Sequence, residues 1–311
     1  MDPAKLLVIV GPTASGKTAL SVTLAEQLNG EVLSADSVQI YRDFDIGSGK
    51  PTLQEQRGVR HHLIDERDAH SPIDAAQFAA LAEQRIAEIR QRGKLPIVCG
   101  GTFLWVRALV HGLAPAPPKD DALRAQHQSL IAQQGRAALH QKLAEVDATS
   151  AQRLSPNDFV RVSRALEVFQ ITGKTLSELQ ALHGFKEHKH RALLLGIKHT
   201  PEELTARIAT RVTRMFERGW LDEVRTLRER GYQATRAMSS VGYREVNAAL
   251  EHSPTPDLAV LSAAVVQKTR IFARRQRTWL REQPVTWLSI EEATDTNLGE
   301  RAQQMLQAAS A

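Results

Sequence analysis

GPTASGKT at residues 11–18 is the stretch on which the reading of this chain turns. Just before it, Leu6-Leu7-Val8-Ile9-Val10 is an unbroken apolar run of the kind that forms a buried parallel strand. Just after it, ALSVTLA at 19–25 predicts a helix. Strand, Gly-rich turn and helix in that order are the context in which G-x-x-x-x-G-K-[ST] acts as a phosphate-binding loop. Gly11 and Gly16 allow a tight turn whose N–H groups all point inward. With the helix N-terminus and Lys17 they make a cradle for a di- or triphosphate. The Thr18 hydroxyl is placed to ligate magnesium. The pattern leaves open whether the phosphate is transferred or leaves.

The bulk properties narrow the choice. At 311 residues the chain is long enough for a large core and a second lobe. Its 42% hydrophobic content is that of a soluble protein, no apolar run reaches membrane-spanning length, and no cleavable leader opens the chain. Cys99 is the single cysteine, which excludes an intrachain disulfide and a cysteine-based zinc site and predicts a cytoplasmic protein. A net charge of +5 and a pI near 9.5 suit an anionic partner.

Outward from the loop, strands and helices alternate. Residues 31–36 read as a strand ending in Asp36, and 37–51 as loop. A short strand is expected at 61–65, a helix at 73–92, and a buried strand at 95–99 that runs into Gly100-Gly101-Thr102. This alternation predicts a parallel α/β sheet flanked by helices, like those of P-loop NTPases. Prolines 115, 117 and 118 make a stiff linker, and the pattern from about 122 to 182 is helical without strands. The expected organisation is a core of 1–114 and 192–311 with an all-helical insertion at 115–191. A strand is expected at 193–197. A long helix follows it, opened by Thr200-Pro201 with Glu203 as a capping box. The last 30 residues carry little pattern.

Four constellations carry chemistry. Asp36, at the C-terminal tip of a parallel strand, lies on the edge where such sheets bind ligands, as a magnesium partner or a proton acceptor. Gly100-Gly101 permits close approach of a ligand, and Thr102 adds a hydroxyl. Arg207, Arg211, Arg214 and Arg218 share one helical face opposite Leu204, Ile208 and Met215. A solvated cationic face is the plain explanation, and a guanidinium reaching a pyrophosphate the sharper one. KTRIFARRQRTWLR at 268–281 has six basic residues and no acidic one. On a helix Arg270, Arg274, Arg277 and Arg281 fall within about 60° of one another, with Leu261, Val265, Phe272 and Trp279 opposite. An unbalanced basic stripe points to a nucleic-acid backbone. Arg161 and Arg164 would add a second phosphate grip. His183, His188 and His190 lack an acid cluster and do not suggest a metal.

Several stretches together resemble one family, the tRNA dimethylallyltransferases or tRNA isopentenyltransferases. They are GPTASGKT, SADSVQIYRDFDIGSGKP at 34–51, HHLID at 61–65, GGT at 100–102, NDFVRVSRALEVFQITGKT at 157–175, VGYRE at 241–245 and RRQRTWLR at 274–281. Departures from the family pattern fall near Phe159, at Arg277 and at Ser48-Gly49.

The resemblance implies transfer of a dimethylallyl group from dimethylallyl diphosphate to N6 of the adenosine 3′ of the anticodon, with release of diphosphate. It implies Asp36, Thr102 and Arg211 as catalytic residues, with Asp36 the general base. Gly11, Pro12, Thr13, Ala14, Ser15, Gly16, Lys17 and Thr18 would hold the diphosphate, and Mg2+ would sit at Thr18. The tRNA anticodon stem-loop would meet Asp36, Ser37, Val38, Gln39 and Thr102 near the reacting groups. Further contacts would come from Arg124, Arg161, Ser163 and Arg164, from Gly242, Tyr243 and Arg244, and from Arg274, Arg275, Gln276, Arg277 and Arg281. A cytoplasmic monomer with no membrane partner completes the expectation.

Two other readings compete. An enzyme that prenylates free adenine nucleotides would need neither basic helix nor insertion. A P-loop kinase or ATPase is what the phosphate loop alone would favour.

Overall fold

The computed structural model describes residues 5–184 and 189–308. They fall into two compact units, Met1–Val110 with Lys189–Ala311, and His111–His188. The first half supplies β1 (Lys5–Val10), α1 (Lys17–Gln27), β2 (Gly30–Ser34), α2 (Leu53–Gln56), β3 (His61–His62), α3 (Ala75–Gln91), β4 (Leu95–Gly100) and α4 (Phe103–His111). Among its described residues the second unit has helices and no strand, α5 (Asp121–Val146), α6 (Ala148–Arg153), α7 (Phe159–Thr172) and α8 (Leu176–His183). The chain returns through β5 (Arg191–Ile197), α9 (Pro201–Glu217), α10 (Trp220–Glu229), α11 (Tyr243–His252) and α12 (Leu258–Leu280), then β6 (Val285–Leu288), α13 (Ile290–Ala293) and α14 (Leu298–Ala308). Arg191, placed by sequence at the end of the insertion, opens β5 and pairs with Lys5.

Six parallel strands run in the order β3-β2-β4-β1-β5-β6. Leu6 to Val10 are fully buried, as a strand covered on both faces requires. Leu7 and Ile9 pack with Leu20, Val22 and Leu24 of α1. The alternate residues face the other side. There α3 contacts β2 and β4 and buries Phe78, Ala82, Ile86 and Ile89. The weakly patterned C-terminus is ordered structure. Leu298, Ala302 and Leu306 of α14 join the α1 side of the core, and the Gln27 side-chain Oε1 accepts from Gly299 N at 2.7 Å. Their i, i+4, i+8 spacing is the signal that the sequence reading passed over.

In the helical unit, Leu139, Leu143, Ala151, Val162, Ala165 and Leu166 form the core. Gly135, at φ 82, breaks α5 into two segments. Glu167 is buried in this unit and accepts from Arg124, Arg164 and the Asp120 N–H.

The sheet edge is held by a buried ionic knot. Glu31 of β2 is 3% exposed and accepts from His62 of β3 at 2.6 Å and from Arg92, beyond α3, at 2.6 Å. Burial alone would push the Glu31 carboxyl up. The hydrogen bonds from Arg92 and His62 outweigh it and hold the group at about 2. A carboxylate depressed from 4.5 to about 2 stabilises the fold fully above pH 4.5 and loses that contribution as pH falls through about 2. Glu31→Ala is therefore expected to cost about 3 kcal/mol at neutral pH in urea denaturation. Its stability should also lack the wild type's fall across that acid window; a variant with the same acid limb as wild type would contradict the assignment.

Candidate active site

The site is built at the C-terminal edge of the sheet, where β1, β2, β4 and β5 end side by side. The loop after β1 enters α1 through Gly16 at φ 90, a left-handed conformation that glycine adopts without strain. Ala14 takes a positive φ of 63. Gly11 cannot carry a Cβ, which would lie 2.5 Å from the Ser15 hydroxyl.

The loop's carbonyls are tied by neighbours. Arg207 Nε donates to Ala14 O at 2.8 Å, His199 Nε2 to Ser15 O at 2.9 Å, and Lys17 Nζ to Pro12 O at 3.3 Å. Two backbone donors are also committed, and the first, Ser15 N, donates to Pro12 O at 3.3 Å. Thr13 N donates to the Gln276 carbonyl at 2.8 Å, and the Gln276 amide donates to Gly101 O at 3.0 Å. The expectation that every loop N–H points inward is thus corrected at Thr13 and at Ser15. Gln276 of α12 clasps the phosphate loop to the turn after β4, so its amide is spent within the protein.

Asp36 stands two residues past β2. Its Oδ1 accepts from Val38 N at 2.9 Å and Gln39 N at 3.3 Å, and Oδ2 has no hydrogen bond among the described residues. Thr102 binds the same turn, its Oγ1 accepting from Ser37 N at 3.0 Å. A Cβ on Gly100 would lie 2.2 Å from Ala35 O, and one on Gly101 2.6 Å from the Gln276 amide. These glycines answer to protein neighbours, where the sequence suggested a ligand. Gln39 is likewise engaged internally, with Ser34 Oγ, Ser48 O and Gly49 O.

The arginine stripe of α9 divides. Arg211 turns inward and donates to Ser48 O at 3.3 Å, Arg207 braces the loop, and Arg214 and Arg218 are exposed. Arg211 does not oppose the apolar residues as the helical wheel suggested. It lines one cavity together with Ile208, Val212 and Met215.

That cavity, of about 480 Å³, lies within the first unit. Thr13, Lys17 and Thr18 line it, as do Asp36, Ser37, Val38, Gln39, Thr102 and Arg211. Phe272, Arg275 and Gln276 come from α12. Of the residues expected opposite the basic stripe, Phe272 is 38% exposed and lines this cavity, while Trp279 stacks on Phe103 with ring centroids 4.3 Å apart. Burial lowers the Lys17 ammonium; the Cys99 thiol beside it opposes that, Arg211 adds to it and Asp36 opposes it. Burial also lowers the Arg211 guanidinium, with Asp36 opposing. Lys17 and Arg211 are each half-buried and line the cavity together with Asp36, an arrangement that suits an anionic ligand. Burial pushes the Cys99 thiol up, away from thiolate chemistry. Among the described residues no three His, Cys, Asp or Glu side chains gather as a metal site, and His188 lies outside them.

The other expected contacts are dispersed. Gly11, Ala14, Ser15 and Gly16 shape the loop without lining the cavity. Pro12 instead borders a smaller cavity of about 260 Å³ with Arg277, Arg281 and Lys198. Arg274 is exposed. Arg244 is exposed and pairs with Glu245. Tyr243 is buried and donates to Glu223 at 2.6 Å. Glu223 also accepts from the N–H groups of Asp45, Ile46 and Gly47, and burial pushes its carboxyl up. Gly242 leaves room for Trp220, whose ring would lie 2.6 Å from a Cβ there. In the helical unit Arg161 is exposed and pairs with Asp158, Arg124 and Arg164 hold Glu167, and Ser163 is buried against His127. Sequence reasoning missed His199, Glu223 and the clasping role of Gln276. None has a local signal, because each acts on a segment far away in the chain.

The IPP transferase family model matches residues 39–283. A tRNA dimethylallyltransferase of Sorangium cellulosum is 56% identical over 289 residues, covering 93% of this chain and 91% of that protein. One of Geobacter sulfurreducens is 46% identical over 294 residues, 94% of each. Among solved structures, the full-length tRNA isopentenylpyrophosphate transferase of Bacillus halodurans superposes with a TM-score of 0.72 at 35% identity, over 98% of both chains. A eukaryotic dimethylallyltransferase acting on tRNA gives 0.79 at 30% identity, over 96% of this chain and 77% of that one. The parallel sheet, the phosphate loop after its first strand and relatives matched along almost their whole length agree: the chain belongs to the IPP transferase family.

Proposed function

We propose that the protein transfers a dimethylallyl group from dimethylallyl diphosphate to the exocyclic N6 of the adenosine 3′ of the anticodon in tRNA. The product is N6-isopentenyladenosine, and diphosphate is released. The observation that carries this reading is the single cavity in which Lys17, Thr18 and Arg211 face the same space as Asp36 and Thr102. The names of the relatives, tRNA dimethylallyltransferases of 46–56% identity, support the same reaction.

The chemistry follows from the charges. As the bond between the allylic carbon and the diphosphate oxygen breaks, negative charge grows on the leaving group. Lys17, Arg211 and the free loop amides meet it, already desolvated and held by their neighbours. The N6 lone pair, delocalised into the ring, attacks as the proton on nitrogen is lost. The unpaired Oδ2 of Asp36 takes that proton, while two backbone N–H groups fix the other oxygen. Thr102 braces the Asp36 turn through Ser37. Thr18, with its hydroxyl in the cavity, would hold Mg2+ in company with diphosphate oxygens and water, a donor set that suits this ion. The ion would add positive charge to the leaving group.

The base must leave its stack to reach Asp36. The exposed Arg274 and Arg275 on α12 and Arg161 in the helical unit would hold the flanking backbone. The protein acts as a cytoplasmic monomer in this reading.

Incubation with labelled dimethylallyl diphosphate and total tRNA, followed by mass spectrometry of the nucleosides, tests the assignment. Label in AMP but not in RNA, or ATP turnover without prenyl transfer, would replace it. Asp36→Ala is expected to lower single-turnover transfer by roughly a hundredfold or more while tRNA affinity stays near wild type; equal loss of both would remove the base from the scheme. Arg274→Ala should weaken all substrate tRNAs about equally and reduce the slope of log affinity against log salt by about one unit. An effect confined to one tRNA would contradict a phosphate contact.

A further inference from the structure

The cavity has an apolar side that the reaction scheme leaves unassigned. Ile208, Val212 and Met215 stand at i−3, i+1 and i+4 from Arg211 on α9, and all three line the same space as that guanidinium. A carbon chain attached to a diphosphate gripped by Arg211 therefore starts on this shelf. Met215 and Trp220 both line this cavity. Gly49 lies against Arg211 and Met215: a Cβ there would sit 2.0 Å from an Arg211 nitrogen and 3.3 Å from Met215 Cε. Two residues earlier, Gly47 lies against Trp220, whose indole nitrogen would be 2.0 Å from a Cβ at that position. The segment 47–49 thus packs on Arg211 and Met215 at Gly49 and on Trp220 at Gly47. Trp220 is 1% exposed and is held between Gly47 and Gly242, neither of which leaves it room to move aside. Glu223, through the N–H groups of Asp45, Ile46 and Gly47, fixes that segment in place. Methionine is the adaptable part of this wall and tryptophan the immovable part.

We propose that Met215, backed by Trp220, limits the length of the hydrocarbon tail the cavity admits and so selects a five-carbon allylic diphosphate over a ten-carbon one. The inference rests on the reading of the cavity as a prenyl diphosphate site, and it extends that reading to the choice of donor. A hydrophobic wall discriminates by the volume it denies, which is worth roughly tenfold or more for groups that do not fit. Shortening Met215 opens space towards the indole; enlarging it closes the shelf.

Isothermal titration of wild type, Met215→Ala and Met215→Phe with dimethylallyl and geranyl diphosphates reads the preference directly, and labelling of tRNA with the same two donors runs beside it. Wild type should bind the five-carbon compound at least about tenfold more tightly. Met215→Ala should reduce that ratio by about tenfold, chiefly by tightening the ten-carbon compound. Met215→Phe should weaken both. Should Met215→Ala fail to fold, Met215→Val must move the ratio in the same direction by less. Equal binding of the two donors by wild type, or a ratio that stays unchanged in the smaller variants, overturns the proposal. If the ratio shifts but wild type labels no RNA, the tRNA assignment falls and the tail pocket stands. If RNA is labelled and the ratio stays fixed, the tail pocket alone falls.

Discussion

Lys17 and Arg211 are two half-buried cations that line one cavity at the end of one sheet, with Asp36 as a carboxylate in the same cavity and partial burial lowering both. Such an arrangement is costly to fold around, because neither charge is fully compensated by the protein. The surrounding architecture reads as the means of tolerating that cost. The carbonyls of the phosphate loop are occupied by Arg207 and His199. Gln276 fixes the loop from the opposite side. A rigid cationic pocket is what a departing diphosphate needs, since donors already in place require no reorganisation as charge develops.

The supports are themselves supported. Glu223 gives up its carboxylate to three consecutive backbone N–H groups and the Tyr243 hydroxyl. Lys50, buried near the end of the 37–51 run, ties the Tyr41 carbonyl and Asp45 within it to Asp65 beyond it. The irregular run from 37 to 51 has little regular structure, yet it is anchored at both ends. That is how a loop can form a dependable cavity wall.

What could be read from the sequence is what depends on neighbours along the chain. The strand before residue 11, the loop and its helix announce themselves by local pattern, as do Asp36 at a strand tip and the capping box at Thr200. The alternation of elements was enough for the parallel sheet. Which way a side chain turns was harder. Periodicity grouped Arg207, Arg211, Arg214 and Arg218, but it carries no knowledge of what packs over a helix, and only the first two meet the loop and the cavity. Gln276 was grouped with its arginine neighbours as a tRNA contact, because its clasping role lies in two backbone groups far away in the chain, Thr13 N and Gly101 O. Tyr243 and Gly242 belong to a motif that reads as a contact surface, yet their side-chain space is taken up by Glu223 and Trp220. A motif records that a position matters without recording to which neighbour.

The reach of Gln276 has a consequence for how the protein comes into being. The residue it secures, Thr13, precedes it by 263 positions. During synthesis the loop leaves the ribosome long before its clasp, at rates of about 5–20 residues per second. Until β5 is made β1 cannot close its sheet, and until Gln276 follows its loop cannot be locked. The part of the molecule that is made first is therefore finished last, and a chain released early from translation would own the motif without owning the pocket.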